Sequence, residues 1–398
     1  MLDFTLQLEK IEQAISILRE QDVDIWLTFV RETEHNADPA LPLICPSNMT
    51  WHTALIITKT GYKVAIAGRY EIVNFQRMGV WDEVISYDQS IQTSLVDVLD
   101  RLSPKQIAVN YSESDTAADG LSHGMYLTLK RYLAGKPYEL ISAENILNPL
   151  RGRKTPSEIQ RIREAVALTD RIIDRITAFL KPGLSELEIA NFVHSEYHKE
   201  GVVPSWDPGH CPTVTVGPDS PVGHTSPSDQ YVTKAGYLVR IDQGVILNDY
   251  ISDIQRVWYL QPKGETSIPE PVQHAFDSVR GAILAAGEAL KPGVQGAVVD
   301  DAARSFIVAA GYPEYQHAVG HGIGRTVHDG ATLLGPRWER YGKTPYGLVE
   351  VNNCFTLELG VEVPGYGLVS LEEDVVVTED GYEWLGKPQT EIIVVPVE

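Results

Sequence analysis

Residues 238–259, LVRIDQGVILNDYISDIQRVWY, decide the fold of the C-terminal half of this chain. The apolar run that contains Asp242 predicts a β-strand ending at Gly244. Residues 248–250 are typical of a hairpin turn, and a second strand is predicted to continue through residues 257–260. Asp242 and Asp253 are therefore expected on two adjacent antiparallel strands, where cross-strand neighbours come close enough to share a metal ion.

Three further residues of metal-ligand type follow along the chain. His321 lies in a glycine-rich segment that lets the backbone approach a ligand closely, Glu358 lies in an apolar run, and Glu372 begins an acidic step before a predicted strand. Four carboxylates and one imidazole form a hard, oxygen-rich set. Such a set favours two divalent cations that share bridging carboxylates, and it favours manganese over thiolate-bound zinc. Clustered charges away from water are costly unless compensated, and two dications would compensate them.

Each of these residues alone has an ordinary structural explanation. An aspartate after a strand is commonly a turn residue, and a histidine among glycines is commonly a loop residue. Glu373 and Asp374 are expected at a solvated strand end, and His210 is expected in a loop rather than at a metal. The ordered set of five ligand-type residues, and no single member of it, indicates a site.

In their order and spacing, the five residues resemble the ligand set of the pita-bread metallopeptidases. This family includes proline dipeptidase (prolidase), aminopeptidase P, methionine aminopeptidase and creatinase. The resemblance covers most of the chain and implies a centre of two divalent ions, with zinc, cobalt and iron open beside manganese. The implied metal ligands are Asp242, Asp253, His321, Glu358 and Glu372. The implied residues near the substrate are His224, His317 and His328.

The resemblance also implies an α+β fold with two domains. A pita-bread catalytic domain with pseudo-twofold halves, residues 154–398, would follow a creatinase-type α/β N-terminal domain, residues 1–150. The pattern of residues 1–150 agrees, because predicted helices and strands alternate there. The predicted elements are a helix over 7–19, strands over 24–29 and 106–109, and a hairpin around 59–61.

Local signals organise the second domain. Thr155, Pro156 and Glu158 predict a capping box at the start of a long helix that ends at residues 182–183. The tetrapeptide LKPG occurs at 180–183 and again at 290–293, and a glycine follows each copy after eighteen residues. The repeated spacing favours a duplicated unit over two unrelated helix stops.

Composition narrows the class of protein. The chain has 33 Lys and Arg against 54 Asp and Glu, a formal net charge of -21, which disfavours binding to nucleic acid or anionic membranes. We expect no membrane span and no signal peptide. The three cysteines, Cys45, Cys211 and Cys354, lack CxxC spacing, so we expect reduced thiols and a cytoplasmic enzyme.

The chemistry follows from the resemblance. Water activated by the metals would attack a peptide carbonyl, with Glu358 taking the water proton and passing it to the leaving nitrogen. The three accessory histidines would donate hydrogen bonds to the oxyanion or to the substrate carbonyl. An N-terminal domain of this size resembles that of prolidase and aminopeptidase P. Short peptides with proline in second position and a homodimer are therefore implied.

Four departures from the family pattern leave every ligand in place but open the question of proline selectivity. Ser370 stands where relatives commonly carry arginine, Leu359 where they carry proline, and Gln255 where they carry threonine. His328 is followed by Asp329 and Gly330 in place of Glu-x-Pro. Candidates to hold a substrate carboxylate, for which simple surface solvation is the interpretation we favour, are Arg337, Arg340 and Lys343.

Two other functions stay open at this level. One is a metal-dependent hydrolase or lyase that acts on a small non-peptide substrate on the same fold. The other is a non-catalytic binding module, although such a module would be expected to lose ligands. The sequence does not distinguish a dipeptidase from an aminopeptidase.

Overall fold

The computed structural model describes residues 4–223 and 225–397, and the chain divides into two compact units, Met1–Arg151 and Gly152–Glu398. Each unit has its own sheets and its own buried apolar core. In the described part of the chain, no helix combines the length and the apolar character needed to cross a membrane.

The N-terminal unit is built on one six-stranded mixed sheet with the strand order β4-β3-β2-β1-β5-β6. Its elements are α1 (Thr5–Glu20), β1 (Ile25–Val30), α2 (Leu41–Ile44), β2 (Thr53–Thr58), β3 (Lys63–Gly68), α3 (Ile72–Met78), β4 (Glu83–Tyr87), α4 (Gln92–Leu102), β5 (Gln106–Val109), α5 (His123–Tyr132), β6 (Glu139–Ser142) and α6 (Glu144–Gly152). Helices cover both faces of the sheet. Successive residues of a strand point to opposite faces, so neighbouring residues of β1 belong to different apolar cores. Trp26 shares a core with Ile11 of α1, and Leu27 shares one with Leu95 of α4. The predicted α/β organisation is confirmed here.

The C-terminal unit combines two pairs of helices with a large sheet that is antiparallel except for one parallel pair. Its elements are α7 (Pro156–Phe179), α8 (Glu186–Glu200), β7 (Val203–Pro204), β8 (Thr213–Val216), β9 (Leu238–Gln243), β10 (Val245–Leu247), β11 (Tyr250–Ile251), β12 (Ile254–Gln261), α9 (Glu270–Ala289), α10 (Gly296–Ala309), β13 (Cys354–Val363), β14 (Gly367–Val377), β15 (Tyr382–Trp384) and β16 (Ile393–Pro396). The main path of the large sheet is β13-β14-β12-β9-β8, with β15 beside β14 and β16 beside β12. A small sheet has the order β11-β10-β7.

The repeated LKPG segments occupy equivalent places in two similar halves. The N–H of Gly183 donates to the carbonyl of Thr233 at 2.8 Å, and the N–H of Gly293 donates to the carbonyl of Val349 at 2.8 Å. Both glycines have positive φ, 90° and 86°, which suits a residue without a side chain. One copy joins α7 to α8 and the other joins α9 to α10. The duplicated unit is therefore a structural repeat, as the pattern indicates.

Local signals also fix the element ends near the predicted site. The hydroxyl of Thr155 accepts from the N–H of Glu158 at 3.3 Å, and the Glu158 carboxylate accepts from the N–H of Thr155 at 2.8 Å, which confirms the capping box. Asn248 and Asp249 have φ of 51° and 68° and connect β10 to β11. This two-residue turn with positive φ at both positions matches the twist of a hairpin. The turn lies between the two predicted aspartate ligands: Asp242 is on β9, as expected, whereas Asp253 directly precedes β12 and is not part of a strand.

Candidate metal centre

A single row of cross-strand neighbours runs over four strands of the large sheet. Asp242 of β9 pairs with Gln255 of β12, Gln255 pairs with Glu372 of β14, and Glu372 pairs with Glu358 of β13. Residues paired in this way project to the same face of a sheet. Asp253 precedes Gln255 by two residues, so it belongs to the same face. The sheet therefore brings the four predicted carboxylate ligands together, and it adds an amide at the centre of the row.

His321 reaches this face from a glycine-rich segment beside β13. The N–H of Glu358 donates to the carbonyl of Val319 at 2.7 Å, and the N–H of Thr356 donates to the carbonyl of His321 at 3.0 Å. A Cβ at Gly320 would lie 2.0 Å from the carbonyl oxygen of Thr356, so only glycine permits this approach. The segment is thereby held against the strand that carries a predicted ligand.

The imidazole of His321 faces three carboxylates at equal distances. Its Nε2 lies 3.8 Å from Asp253 Oδ2, from Glu358 Oε1 and from Glu372 Oε1. These separations are too long for hydrogen bonds. Two ligand atoms that each lie about 2.1 Å from one cation are separated by roughly 3–4 Å, so each of these three separations suits a divalent ion held between the imidazole and a carboxylate.

Asp242 occupies a different part of the same row. Ligand atoms from Asp253, His321 and Glu372 lie within 4.8 Å of one another, and neither Asp242 nor Glu358 belongs to this group. Its Oδ2 accepts from Arg240 Nη2 at 2.8 Å. Its charge nevertheless acts on the centre, because it contributes to the raised pKa of Asp253. A second cation between Asp242 and its neighbours stays a prediction.

The electrostatics of the site call for a cation. Burial and the charge of Asp242 raise the pKa of Glu358 to about 7, although Arg240 and Gln255 act to lower it. Burial and neighbouring carboxylates also raise the pKa of Asp253 and that of Glu372 well above their ordinary values. Carboxylates that resist ionisation together are stabilised in their charged form by a dication.

The histidine is suited to be a neutral ligand. Burial, followed by the charge of His328, lowers the pKa of His321 to about 3. The imidazole is therefore uncharged at neutral pH, which leaves the lone pair of one ring nitrogen available. The chemistry of the donor set, neutral imidazole with oxygen ligands, matches the predicted hard divalent ions.

A cavity of about 490 Å³ opens over the centre. Asp242 and Glu358 lie in its wall, as do His317, Tyr315 and Arg240. Arg304, on α10, holds one side of this wall, because its guanidinium donates to the carbonyl oxygens of both Tyr315 and His317. Two of the predicted ligands, Asp242 and Glu358, are thus accessible from the cavity.

The accessory histidines differ in placement. His317 is exposed in the cavity wall, and its ring centroid lies 5.7 Å from that of Tyr315. His328 is exposed and lies edge-on to His321, with ring centroids 4.6 Å apart. His224 lies outside the described residues. Among the surface cations, Arg337 pairs with Asp301, and the walls of the cavity do not include Arg337, Arg340 or Lys343.

The expectation that Glu373 and Asp374 are solvated is wrong. They are 5% and 3% exposed, because β14 is buried along its whole length. Glu373 Oε2 lies 3.0 Å from Arg256 Nη2. Asp374 Oδ2 accepts from the N–H of Asp253 at 3.1 Å, which supports a predicted ligand from behind. By contrast, His210 lies in a loop beside Asp207, as expected.

Sequence reasoning missed the positive charge inside the row. Arg240 was not singled out, although it stands two residues before Asp242 in an otherwise apolar strand. Alternation places both side chains on one face, and that pattern is the signal that could have found it. The sequence singles out Gln255 and Ser370 only as departures from the family pattern. In the structure, Arg240 and Ser370 both donate a hydrogen bond to the amide oxygen of Gln255.

A buried ion pair supports the histidine segment and was also missed. Lys154 Nζ donates to Asp329 Oδ2 at 2.8 Å, and both side chains are almost completely buried. The N–H of Asp329 in turn donates to the carbonyl of Gly322, the residue after His321. The Asp329 departure thus has a structural role of its own in this chain.

Comparisons with known proteins agree with this architecture. The model of metallopeptidase family M24 matches residues 160–379. An uncharacterized peptidase of Staphylococcus saprophyticus is 30% identical over 393 residues, covering 94% of this chain and 98% of that protein.

Two solved structures share the fold over nearly the full length. An Xaa-Pro dipeptidase from Bacillus anthracis has a TM-score of 0.76 and 26% identity, covering 98% of this chain and 100% of that one. An X-Pro aminopeptidase from Thermotoga maritima has a TM-score of 0.72 and 26% identity, covering 97% and 99%. The expected pita-bread fold with an N-terminal domain is confirmed. The chain belongs to metallopeptidase family M24.

Proposed function

We propose that this chain is a metal-dependent hydrolase that cleaves short peptides at the Xaa-Pro bond, with two divalent cations as cofactors. The predicted ligands are Asp242, Asp253, His321, Glu358 and Glu372. One observation carries the proposal: His321 Nε2 is equidistant, at 3.8 Å, from three carboxylates, and one of them, Glu358, lies in the wall of an open cavity. The names of the two structural neighbours, an Xaa-Pro dipeptidase and an X-Pro aminopeptidase, support the choice of bond.

Glu358 and the three accessory histidines each have an assigned part in hydrolysis. Divalent cations, when bound, supply Lewis acidity that activates water and polarises the scissile carbonyl. Glu358 accepts the proton of the attacking water and delivers it to the leaving nitrogen, a role that its position in the cavity wall supports. His317 and His328 donate hydrogen bonds to the substrate carbonyl and to the developing oxyanion. His224 is assigned the same role from the sequence.

The cavity supports a small substrate. Its volume of about 490 Å³ falls in the range of sites for small molecules and suits a short peptide better than a folded chain. Gln255 and Ser370, which depart from the family pattern, lie next to the predicted ligands. This difference supports a second candidate function. That candidate is hydrolysis of a small non-peptide amide at the same centre.

We assign manganese as the metal, the cytoplasm as the location and a homodimer as the assembly. The oxygen-rich ligand set supports manganese. The three cysteines are unpaired and buried, which supports a reducing compartment. The homodimer rests on the family resemblance, and light scattering on the purified protein at two concentrations tests it.

A substrate panel tests the activity. Protein stripped with a chelator is reloaded separately with manganese, zinc, cobalt or iron, and metal content is measured on each sample. Substrates are Xaa-Pro dipeptides, Xaa-Pro-Yaa tripeptides, matched dipeptides without proline, and small non-peptide amides. We expect turnover of a proline peptide that requires metal. Turnover of an amide with no proline peptide cleaved would favour the second candidate, and no turnover by any metal-loaded sample would favour a binding module.

A further inference from the structure

Arg240 brings a guanidinium into the row of site carboxylates. It lies on β9, two residues before Asp242, and its side chain is 10% exposed. Nη2 donates to Asp242 Oδ2 at 2.8 Å, and Nε donates to Gln255 Oε1 at 3.2 Å. A planar guanidinium can hold two acceptors in a fixed relation in this way, whereas an ammonium cannot.

Gln255 connects Arg240 to the two glutamates through hydrogen bonds. Its Nε2 donates to Glu372 Oε2 at 2.7 Å and to Glu358 Oε2 at 3.1 Å. Its Oε1 accepts from Arg240 and, at 2.5 Å, from the hydroxyl of Ser370. The amide can have only this orientation, because the Arg240 guanidinium can only donate and must face the amide oxygen, which leaves Nε2 facing the two glutamates. One side chain therefore joins the positive charge to both glutamates.

As a consequence, the two oxygens of each glutamate carboxylate face different partners. The Oε2 atoms of Glu358 and Glu372 face Gln255, whereas their Oε1 atoms each lie 3.8 Å from His321 Nε2. The oxygens that would meet a cation are thus selected by hydrogen bonds made on the far side. Hydrogen bonds of this kind orient metal ligands and tune metal affinity.

We propose that Arg240 and Gln255 act together as positioning residues for the metal ligands. Arg240 fixes Asp242 and the Gln255 amide, and Gln255 fixes both glutamates. The inference rests on the proposed metal centre but not on the identity of the substrate. In this chain the guanidinium comes from β9, and position 370 on β14 carries a serine.

The geometry also predicts that an arginine at position 370 can replace the arginine at position 240. Arg240 and Ser370 donate to the same atom, Gln255 Oε1, and each stands two residues before a predicted ligand, Asp242 or Glu372. An arginine at position 370 is therefore expected to reach Gln255 from the opposite strand. The combination Arg240→Ser with Ser370→Arg should restore part of what Arg240→Ser loses.

Metal affinity, and not turnover, is the decisive measurement. Calorimetric titration of chelator-stripped protein with manganese gives the dissociation constant, and circular dichroism before each titration verifies the fold. We expect Arg240→Gln to weaken manganese binding by about 10- to 100-fold. Arg240→Lys keeps the charge but loses the two-acceptor geometry, so a loss of at least about fivefold is expected. Arg175→Gln removes an ion-paired arginine of α7 that contacts only Glu196 and Glu200 among the described residues. This control should stay within about twofold of the wild type.

The outcomes separate this inference from the proposed function. Wild-type affinity in Arg240→Gln or Arg240→Lys would overturn it, and so would a folded double variant that binds no tighter than Arg240→Ser. The Lys variant adds no side chain at position 370, so it decides the question when the double variant does not fold. Weakened affinity in these variants, in a protein that cleaves no proline peptide, would uphold the positioning role and reject the proposed substrate.

Discussion

At the scale of single residues, the ability of the centre to bind a cation depends on the hydrogen-bond partners and the protonation of each ligand. Glu358 divides its two oxygens between Gln255 and the His321 side, and burial with Asp242 raises its pKa to about 7. His321 is kept neutral by burial and by His328. A carboxylate that resists ionisation next to an uncharged imidazole is an unfavourable arrangement without a cation and a favourable one with it.

We predict that Glu358→Ala and His321→Ala each abolish turnover while the protein stays folded. Each change removes a predicted ligand, and Glu358→Ala also removes the proposed proton acceptor, a role worth about 10²- to 10⁴-fold in rate. The measurement is kcat/KM on the best substrate of the panel at saturating manganese. Glu383→Ala, at an exposed position on β15, is the matched control and should retain activity. Rates close to wild type in either site variant would defeat the assignment of the ligands.

At the scale of elements, two repeated connections and one ion pair hold the strands and the histidine segment in place. The LKPG copies follow α7 and α9, and in each copy the glycine N–H donates to the carbonyl of a residue that directly follows an isolated β-bridge, so the two connections are held in the same way. The Lys154–Asp329 pair fixes the segment that follows His321. Both features act by fixing the positions of backbone segments.

We predict that Gly183→Ala and Gly293→Ala destabilise the protein by similar amounts, about 1–2 kcal/mol each. Both residues have positive φ, where a Cβ is strained although open space surrounds it. Gly381 also has open space but no positive φ, so Gly381→Ala should have a much smaller effect. Chemical denaturation of the three variants provides the comparison. Unequal costs at the two repeat positions would count against their structural equivalence.

We predict that Asp329→Ala lowers stability by about 3–5 kcal/mol, because it leaves the buried Lys154 ammonium without this carboxylate. It should also reduce manganese affinity, since the segment carrying His321 loses its anchor. The exposed pair between Arg163 and Glu383 supplies the contrast, and Glu383→Ala should cost less than about 1 kcal/mol. Equal effects of the two substitutions on the unfolding midpoint would show that burial of the pair is unimportant.

At the scale of the whole molecule, metal binding and folding should be linked. The five predicted ligands come from residues 242–372 and from separate elements, so a cation that binds them stabilises the native arrangement alone. We predict that chelation lowers the melting temperature and that manganese restores it. At a metal concentration 100-fold above the dissociation constant, the stabilisation is about 2.7 kcal/mol. A melting temperature unaffected by chelator, in protein shown to be metal-free afterwards, would contradict this linkage.

Local signals in the sequence were sufficient for much of this architecture. The capping box at Thr155, the turn at Asn248 and the repeated LKPG segments depend on neighbours a few residues away, and the structure has all three. The bonds from Ser370 and Glu372 to Gln255 join residues more than a hundred positions apart, so they depend on strand register. Glu373 and Asp374 were misjudged for the same reason. Their partners, Arg256 and the backbone of Asp253, come from another strand.

Anomalous diffraction from crystals grown with manganese is the sharpest test of the proposed metal centre, because it locates the cations without reference to activity. We expect two neighbouring peaks at the sheet face. One should be bounded by His321, Asp253 and both glutamates, and the other should be in contact with Asp242. Manganese peaks elsewhere, with this face empty at saturating metal, would show that these residues do not form the metal site.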